Sequence, residues 1–534
     1  MLQISELYSK VDWWKKAVFY EVYIRSFQDS DGDGVGDIAG VTSRLDYFQE
    51  LGVDSIWITP IFASPMQDHG YDVSNYRVID PLFGSMVSVE NLITEIHSRR
   101  IRILLDIVPN HTSREHKWFQ EALSDDSRPG PRDRYIFRKG GANGSPPNNW
   151  QSVFGGSAWE SYGDEYYLHL FAESQPDLNW RHADVTKEFE EILKFWISKN
   201  IDGFRIDVAH GLFKDRLLRD EPREIARVPG TDYQGLDQIM VFDQPEIHDL
   251  YRRWRTMTKE LNSQFVLLGE VYLHDPMKAA KYGSPDELGL VLAFALTAIT
   301  WNADEIVRVI SQNIDAFAFS KATPAWVLDS HDVSRSATRF GGGYTGQRRS
   351  LCASVLLLSL PGACIIYQGQ ELSLEDGELS PEDRTDPIFR MSNGHLLGRD
   401  GCRIPLPWDN SSPANGFSTG KSWLPQEKNF SERSVEQQNL DTKSSLSIIR
   451  KAIKLRKDIP QMASGEFDSI KNDNGRIIIC WKYEALKLIC VFNITGEPIY
   501  MTSGKVIFET YSKNSHQDVG LFQIPQGEAA WILE

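Results

Sequence analysis

The stretch Gly203–Val208, GFRIDV, is the key to this chain. It is one of several short, mostly apolar runs separated by helical lengths. Arg205 and Asp207 stand two residues apart within it, so on a strand their side chains leave the same face. A helical stretch, KEFEEILKFWISK (Lys187–Lys199), precedes it. Runs of the same texture recur in both directions: VFYEVYI (Val18–Ile24), SIWI (Ser55–Ile58) and ILLDIV (Ile103–Val108) before it, then FVLLGEV (Phe265–Val271), LGLVLAF (Leu288–Phe294), AWVLDS (Ala325–Ser330) and ACIIYQ (Ala363–Gln368). Such near-continuous apolar strands suit a parallel sheet buried on both faces. Their alternation with helical lengths predicts an α/β chain, a (β/α)8 TIM barrel, rather than an open sheet.

Two regions break the rhythm. Between ILLDIV and the helix near Asp184 lie about 70 residues rich in Gly, Pro, Asn and aromatics, too long for a structureless loop and read as an inserted subdomain after strand 3. Beyond SLSIIRKAIKLRKD (Ser445–Asp458), the runs RIIICWKY, LKLICVFNI and AAWILE read as antiparallel strands of a small C-terminal β domain. The expected division is barrel at 1–110, subdomain at 111–180, barrel again at 181–458 and the β domain at 459–534.

Composition narrows the function. The 534 residues are 41% hydrophobic and 25% charged, with a formal net charge of −17, which excludes a disordered chain and argues against a nucleic-acid partner. The five cysteines show no CxxC spacing, so zinc and redox chemistry are not indicated. A reducing, cytoplasmic location is expected, because MLQISELYSK has no basic start followed by an apolar run. Leu351–Tyr367 approaches bilayer length, but Pro361 and Gly362 split it. A buried helix followed by a buried strand is expected there, with no membrane partner.

In a parallel barrel the active site forms at the C-terminal strand ends. Polar residues cluster there: Asp106 late in ILLDIV, Arg205 and Asp207 in GFRIDV, Glu270 after FVLLG, and His331 and Asp332 after AWVLDS. Buried carboxylates on neighbouring strands repel one another and lose hydration, so their convergence points to chemistry. Carboxylates without clustered His or Cys suit glycoside cleavage, in which one attacks the anomeric carbon and another protonates the leaving oxygen. Separately, DSDGDGVGD (Asp29–Asp37) sets Asp29, Asp31, Asp33 and Asp37 at alternate positions of a Gly-rich loop, a pattern that suits a hard cation. It begins like an EF-hand, but Gly40 rather than Glu stands at the twelfth position.

Together these motifs resemble the α-amylase superfamily (glycoside hydrolase family 13), within it the α-glucosidase and oligo-1,6-glucosidase subgroup. DIVPNH (Asp106–His111), GFRIDVAH (Gly203–His210), GEVY (Gly269–Tyr272) and SHD (Ser330–Asp332) occur in the family's order, and QPDLN (Gln175–Asn179) resembles the oligo-1,6-glucosidase signature. HGYDVSNY (His69–Tyr76) and GRDGCRIPLPW (Gly398–Trp408) also match. The resemblance implies Asp207 as nucleophile, Glu270 as general acid/base and Asp332 as the acid holding the sugar 2- and 3-hydroxyls. It implies Arg205 as the group orienting the nucleophile, His111 and His331 as histidines gripping the glucose, and Tyr71 as its aromatic platform. Asp72 and Arg399 would pair across the pocket end and make the enzyme exo-acting, with Arg403 the alternative to Arg399. For the loop it implies one structural Ca2+ (or Mg2+), with the Val35 carbonyl as a further ligand. Ser330 departs from the usual Asn, and Val208 resembles the α-1,6-active members.

The implied activity is retaining, exo-acting hydrolysis of terminal α-glucosidic bonds in short oligosaccharides such as maltose, isomaltose or sucrose. A transglucosylase or sugar isomerase on the same scaffold is the alternative, since water and a sugar hydroxyl compete for one glucosyl-enzyme.

Overall fold

Inward- and outward-facing residues alternate along short strands, and that alternation builds the molecule. The computed structural model describes residues 12–224, 231–411, 413–426, 428–494, 497, 499–501, 504–510 and 522–534. The first ten residues, on which the leader-peptide expectation rests, lie outside them. Eight parallel strands, β1 (Val18–Val22), β2 (Ser55–Ile58), β3 (Arg102–Ile107), β4 (Gly203–Ile206), β5 (Val266–Gly269), β6 (Gly289–Ala293), β7 (Thr323–Val327) and β8 (Ala363–Tyr367), close into a barrel in chain order. β8 returns to β1 with Val18 opposite Cys364 and Glu21 opposite Tyr367. The expected (β/α)8 barrel is therefore observed.

Phe19, Trp57, Leu104, Leu268, Val327 and Ile365 pack together as one buried cluster. Two residues further along their strands, on the same face, stand Glu21, Asp106 and Glu270. The strand interior is thus apolar low in the barrel and ionisable at its C-terminal mouth. The alternate residues, among them Tyr20, Ile58, Leu105, Ile206, Leu267 and Ile366, join the larger core beneath the helices. That core includes residues of α1 (Met86–Ser98), α2 (Ala183–Ser198), α3 (Glu246–Leu261), α4 (Ala303–Phe319) and α5 (Gly343–Leu358).

Leu351–Tyr367 is the buried helix and strand that its composition suggested. Arg456, buried on α6 (Ser445–Asp458), donates to the Leu358, Leu360 and Gly362 carbonyls at 2.6–2.8 Å, satisfying the end of α5. Gly362 makes the turn at φ +104, where a Cβ would lie 2.5 Å from the Pro324 carbonyl oxygen. Among the described residues, no helix is long and apolar enough to cross a membrane.

Residues 111–180 carry a three-stranded antiparallel sheet with Glu165–Leu168 between Phe137–Lys139 and Trp159–Tyr162. Its Trp150, Phe154 and Phe171 share a second apolar cluster with Val208, Tyr233 and Phe242, which seats the subdomain on the barrel mouth. After α6 a five-stranded antiparallel sheet follows: β9 (Glu466–Asp473), β10 (Arg476–Tyr483), β11 (Leu486–Asn493), β12 (Lys505–Glu509) and β13 (Ala529–Leu533), in the order β9-β10-β11-β13-β12.

Candidate active site

β4 and β5 pair with Ile206 opposite Gly269, so the next residues, Asp207 and Glu270, leave adjacent strands at the same height. One guanidinium joins them. Arg205 Nη1 lies 2.6 Å from Asp207 Oδ1 and 2.9 Å from Asp106 Oδ1, and its Nη2 lies 2.9 Å from Glu270 Oε1. Asp106 also accepts from Trp57 Nε1 at 3.2 Å and from the Tyr71 hydroxyl at 3.1 Å. Asp207 and Glu270 are 7% and 9% exposed, reachable from the pocket yet shielded from bulk water.

Val208, next to Asp207, adopts φ +45, a strained conformation for a β-branched residue. In that conformation its N–H donates to Glu270 Oε2 at 2.8 Å.

Asp332 Oδ1 accepts from Arg403 Nη2 at 2.9 Å and Arg399 Nη1 at 3.2 Å. Both arginines named from the sequence therefore hold it. Ser330 Oγ accepts the Asp332 N–H at 3.2 Å, so the departure from Asn keeps a hydrogen bond. His331 stacks on Tyr71 with ring centroids 5.4 Å apart, donates or accepts at the Tyr71 hydroxyl through Nε2 at 2.8 Å, and meets the buried Glu21 through Nδ1. His111 Nε2 lies 3.1 Å from the Tyr71 carbonyl oxygen.

The structure corrects one residue. Asp72 does not reach Arg399. It is buried in its own loop, where its carboxylate accepts from Ser64 Oγ at 2.9 Å and from the Gln67 and Asp68 N–H groups at 2.9 and 3.1 Å. Asp68 makes the expected pair instead, its Oδ1 2.8 Å from Arg399 Nη2. The reason is the turn between them. His69 at φ 53 and Gly70 at φ 110 reverse the chain, so the acid before the turn faces the pocket and the acid after it ties the loop. Arg399 is further fixed by Asp386 at 2.7 Å and by the Tyr233 hydroxyl at 3.1 Å.

Asp68, Tyr71, His111, Asp207, Glu270, His331, Asp332 and Arg399 line one cavity of ≈ 490 Å³, with Phe154, Phe171, Val208, His210, Tyr233 and Tyr272 as further walls. Arg205 lies beneath, on the carboxylates. The sequence reading missed Asp68, Phe154, Phe171, His210 and Tyr233. Asp68 directly precedes the quoted HGYD and was within reach; Tyr233 lies in a stretch without periodicity.

Electrostatics follow the crowding. Burial raises Asp207, Arg205 opposes it, and the Glu270, Asp106 and Asp332 carboxylates add to the rise. Asp106 is pushed up to about 7 by burial against Arg205. Burial alone would raise Asp332 as well, but His331, Arg399 and Arg403 outweigh it and hold that carboxyl below its usual range. His111 is pushed down to about 4 by burial.

In the Gly-rich loop, carboxylate oxygens of Asp29, Asp31 and Asp37 lie within 4.8 Å of one another. Three such hard donors fit Ca2+ or Mg2+. Asp33, expected with them, is not in that group; its Oδ1 accepts the Val35 N–H at 2.8 Å. Asp29 also accepts from Ser418 Oγ at 2.5 Å and the Gly34 N–H at 2.8 Å. Asp37 caps the following helix through the Gly40 N–H at 2.7 Å.

The chain as a whole is similar to known proteins. The family model described as the α-amylase catalytic domain matches residues 21–465. An oligo-1,6-glucosidase of Parageobacillus thermoglucosidasius is 35% identical over 93% of this chain and 93% of its own length. The α-glucosyl transfer enzyme XgtA superposes with a TM-score of 0.89 at 33% identity, over 98% of this chain and 100% of its own. The trehalulose synthase MutB from Pseudomonas mesoacidophila gives a TM-score of 0.89 at 28% identity, over the same shares. The match over most of the length, on a barrel whose carboxylates meet at its mouth, makes this chain a member of the α-amylase family and a glycoside hydrolase.

Proposed function

We propose that the protein is a retaining, exo-acting α-glucosidase of short oligosaccharides. The observation that carries this reading is the register of β4 and β5. It puts Asp207 and Glu270 on neighbouring strands, where one Arg205 guanidinium touches both, in keeping with the close pair of carboxyls that retaining glycosidases use. An Asp207 oxygen attacks the anomeric carbon while Glu270 gives its proton to the departing oxygen, and the glycosidic bond breaks. Water then loses a proton to Glu270, adds to the same carbon, and the ester to Asp207 opens. Arg205 reaches Asp106, Asp207 and Glu270 alike. Arg205's shortest contact, 2.6 Å to Asp207, favours the negative charge there.

Asp332, His111 and His331 surround the bound ring, and Tyr71 lies under it. The Asp68–Arg399 pair blocks the chain beyond the terminal glucose, which supports exo action. The acidic loop at Asp29 supports a structural cation that ties β1's C-terminal loop to Ser418, with no catalytic duty.

Two solved neighbours are a transfer enzyme and a trehalulose synthase. They favour a second reading in which a sugar hydroxyl takes the glucosyl group in place of water. Product analysis on maltose, isomaltose and sucrose separates the two: glucose with α configuration supports the hydrolase, whereas exclusive rearrangement to other disaccharides overturns it. Asp207→Ala and Glu270→Gln each should lower kcat by about three orders of magnitude or more in a folded protein, because each removes a group the covalent route requires.

A further inference from the structure

Glu21 sits on β1, fully buried, on the same inward face as Phe19. One of its oxygens is used twice: Oε1 contacts His331 Nδ1 and lies 3.4 Å from the His331 backbone N–H. The other, Oε2, has no hydrogen-bond partner. Among the described residues Glu21 forms an ion pair only with that histidine, and the Nη atoms of Arg205 go to Asp106, Asp207 and Glu270. A carboxylate so placed would keep a bare charged oxygen out of water, which is far costlier than a bare carbonyl oxygen. The protonated acid avoids that cost. Its O–H donates to Nδ1, and only a neutral carbonyl oxygen stays unpaired.

The far side of the imidazole agrees. Tyr71 has one hydroxyl hydrogen and two neighbours, Asp106 Oδ2 at 3.1 Å and His331 Nε2 at 2.8 Å. Asp106 Oδ2 also gathers N–H groups from Trp57 and Arg205, so it is an acceptor and takes the phenol hydrogen. The phenol oxygen is then left to accept from Nε2. Nε2 therefore carries the hydrogen of a neutral imidazole, and Nδ1 is bare and wants a donor. Nε2 also lies 3.5 Å from Asp332 Oδ1, so a sugar hydroxyl beside both accepts from the histidine and donates to the acid. Burial raises Glu21, with Asp332 and Asp106 adding to the rise against Arg205. Burial lowers His331, with Arg403, Arg205 and Arg399 adding to the fall against Asp332. Both directions favour two neutral partners.

We infer that Glu21 is a positioning residue, a carboxylic acid that donates to Nδ1 and so fixes His331 as an Nε2–H donor to the bound glucose. This rests on the glucosidase reading and deepens it by assigning the direction of a hydrogen bond to the sugar.

The test joins ring 15N spectra of histidine-labelled enzyme, with His331 assigned by its loss in His331→Gln, to kinetics of Glu21→Leu and Glu21→Gln on 4-nitrophenyl α-glucoside. At neutral pH His331 should show a protonated Nε2 and a bare Nδ1. In Glu21→Leu kcat should fall about tenfold or more with a smaller change in KM, since bonds to the sugar hydroxyls strengthen in the transition state. Glu21→Gln, whose amide N–H replaces the acid O–H, should recover kcat to within about threefold of wild type. A doubly protonated imidazole, or one with its hydrogen on Nδ1, would overturn the inference. A tenfold loss in Glu21→Gln would overturn it too, by making the carboxylate charge the needed feature. Unchanged kcat in a folded Glu21→Leu would leave Glu21 a packing role only. If Glu21→Leu does not fold, the spectrum and Glu21→Gln still decide. A wild type inactive on the glucoside would overturn the glucosidase reading, while the spectrum would still judge where the hydrogen sits.

Discussion

Asp68 and Asp72 bracket one turn, yet only Asp68 meets Arg399. Asp68→Ala should therefore reduce kcat/KM on maltose by about 100-fold while long maltodextrins lose less, since it removes a buried charged partner that stops the chain. Asp72→Ala should instead lower the melting temperature and leave the short-to-long preference alone. Kinetics on a maltodextrin ladder with parallel melting curves checks both, and a shifted preference in Asp72→Ala would contradict the correction. The sequence named the acids but not their sides, because a single left-handed residue pair decides them. His116 offers a second residue-scale case. Its Nδ1 accepts the Trp118 N–H at 3.2 Å, capping a helix. Burial, with Lys117 and Arg134 nearby, pushes it down to about 4. Between that value and the ordinary value near 6.5 the unfolded chain binds more protons, so acidification across this window weakens the fold. Relative to His116→Asn, which keeps a capping acceptor, wild type should lose up to about 3 kcal/mol from pH 6.5 to 4. Urea titrations at several pH values measure the difference; a pH-independent gap would sink the argument.

Strands were the most legible elements, because burial on both faces leaves little but apolar residues outside the catalytic positions. All eight barrel runs, including the weaker LGLVLAF, became strands. The stretch from Gly211 to Pro245 was not legible. Its described residues form no long element, and its Tyr233, Leu236 and Phe242 act by packing against the inserted subdomain, a relation without sequence period. The acidic loop was legible as a pattern of alternating oxygens, though only three of its four acids converge. Chelation should lower the melting temperature by several degrees and change kcat little at temperatures where the fold persists. Asp31→Ala should reproduce the loss and abolish its sensitivity to chelator. Melting that ignores thorough chelation in wild type would leave the loop as a turn without metal.

Whole-molecule cohesion depends on buried polar links between the inserted subdomain and the barrel. Lys214 Nζ lies 2.6 Å from Asp177, which also accepts from Asn110 Nδ2 at 3.1 Å and from the Leu170 N–H at 2.9 Å. Lys214→Met leaves a carboxylate buried without its counter-charge and should cost about 3–5 kcal/mol. The double variant Lys214→Met/Asp177→Asn should recover part of that cost, and additive losses in a double-mutant cycle would refute the coupling. The closure of the barrel has a temporal meaning as well. Val18 finds its parallel neighbour at Cys364, so the first strand waits, edge unsatisfied, until two-thirds of the polypeptide has left the ribosome. Glu21, on that waiting strand, meets His331 only then. Nascent chains halted before residue 363 should consequently be protease-sensitive and sugar-blind, because the seam of the barrel is still open.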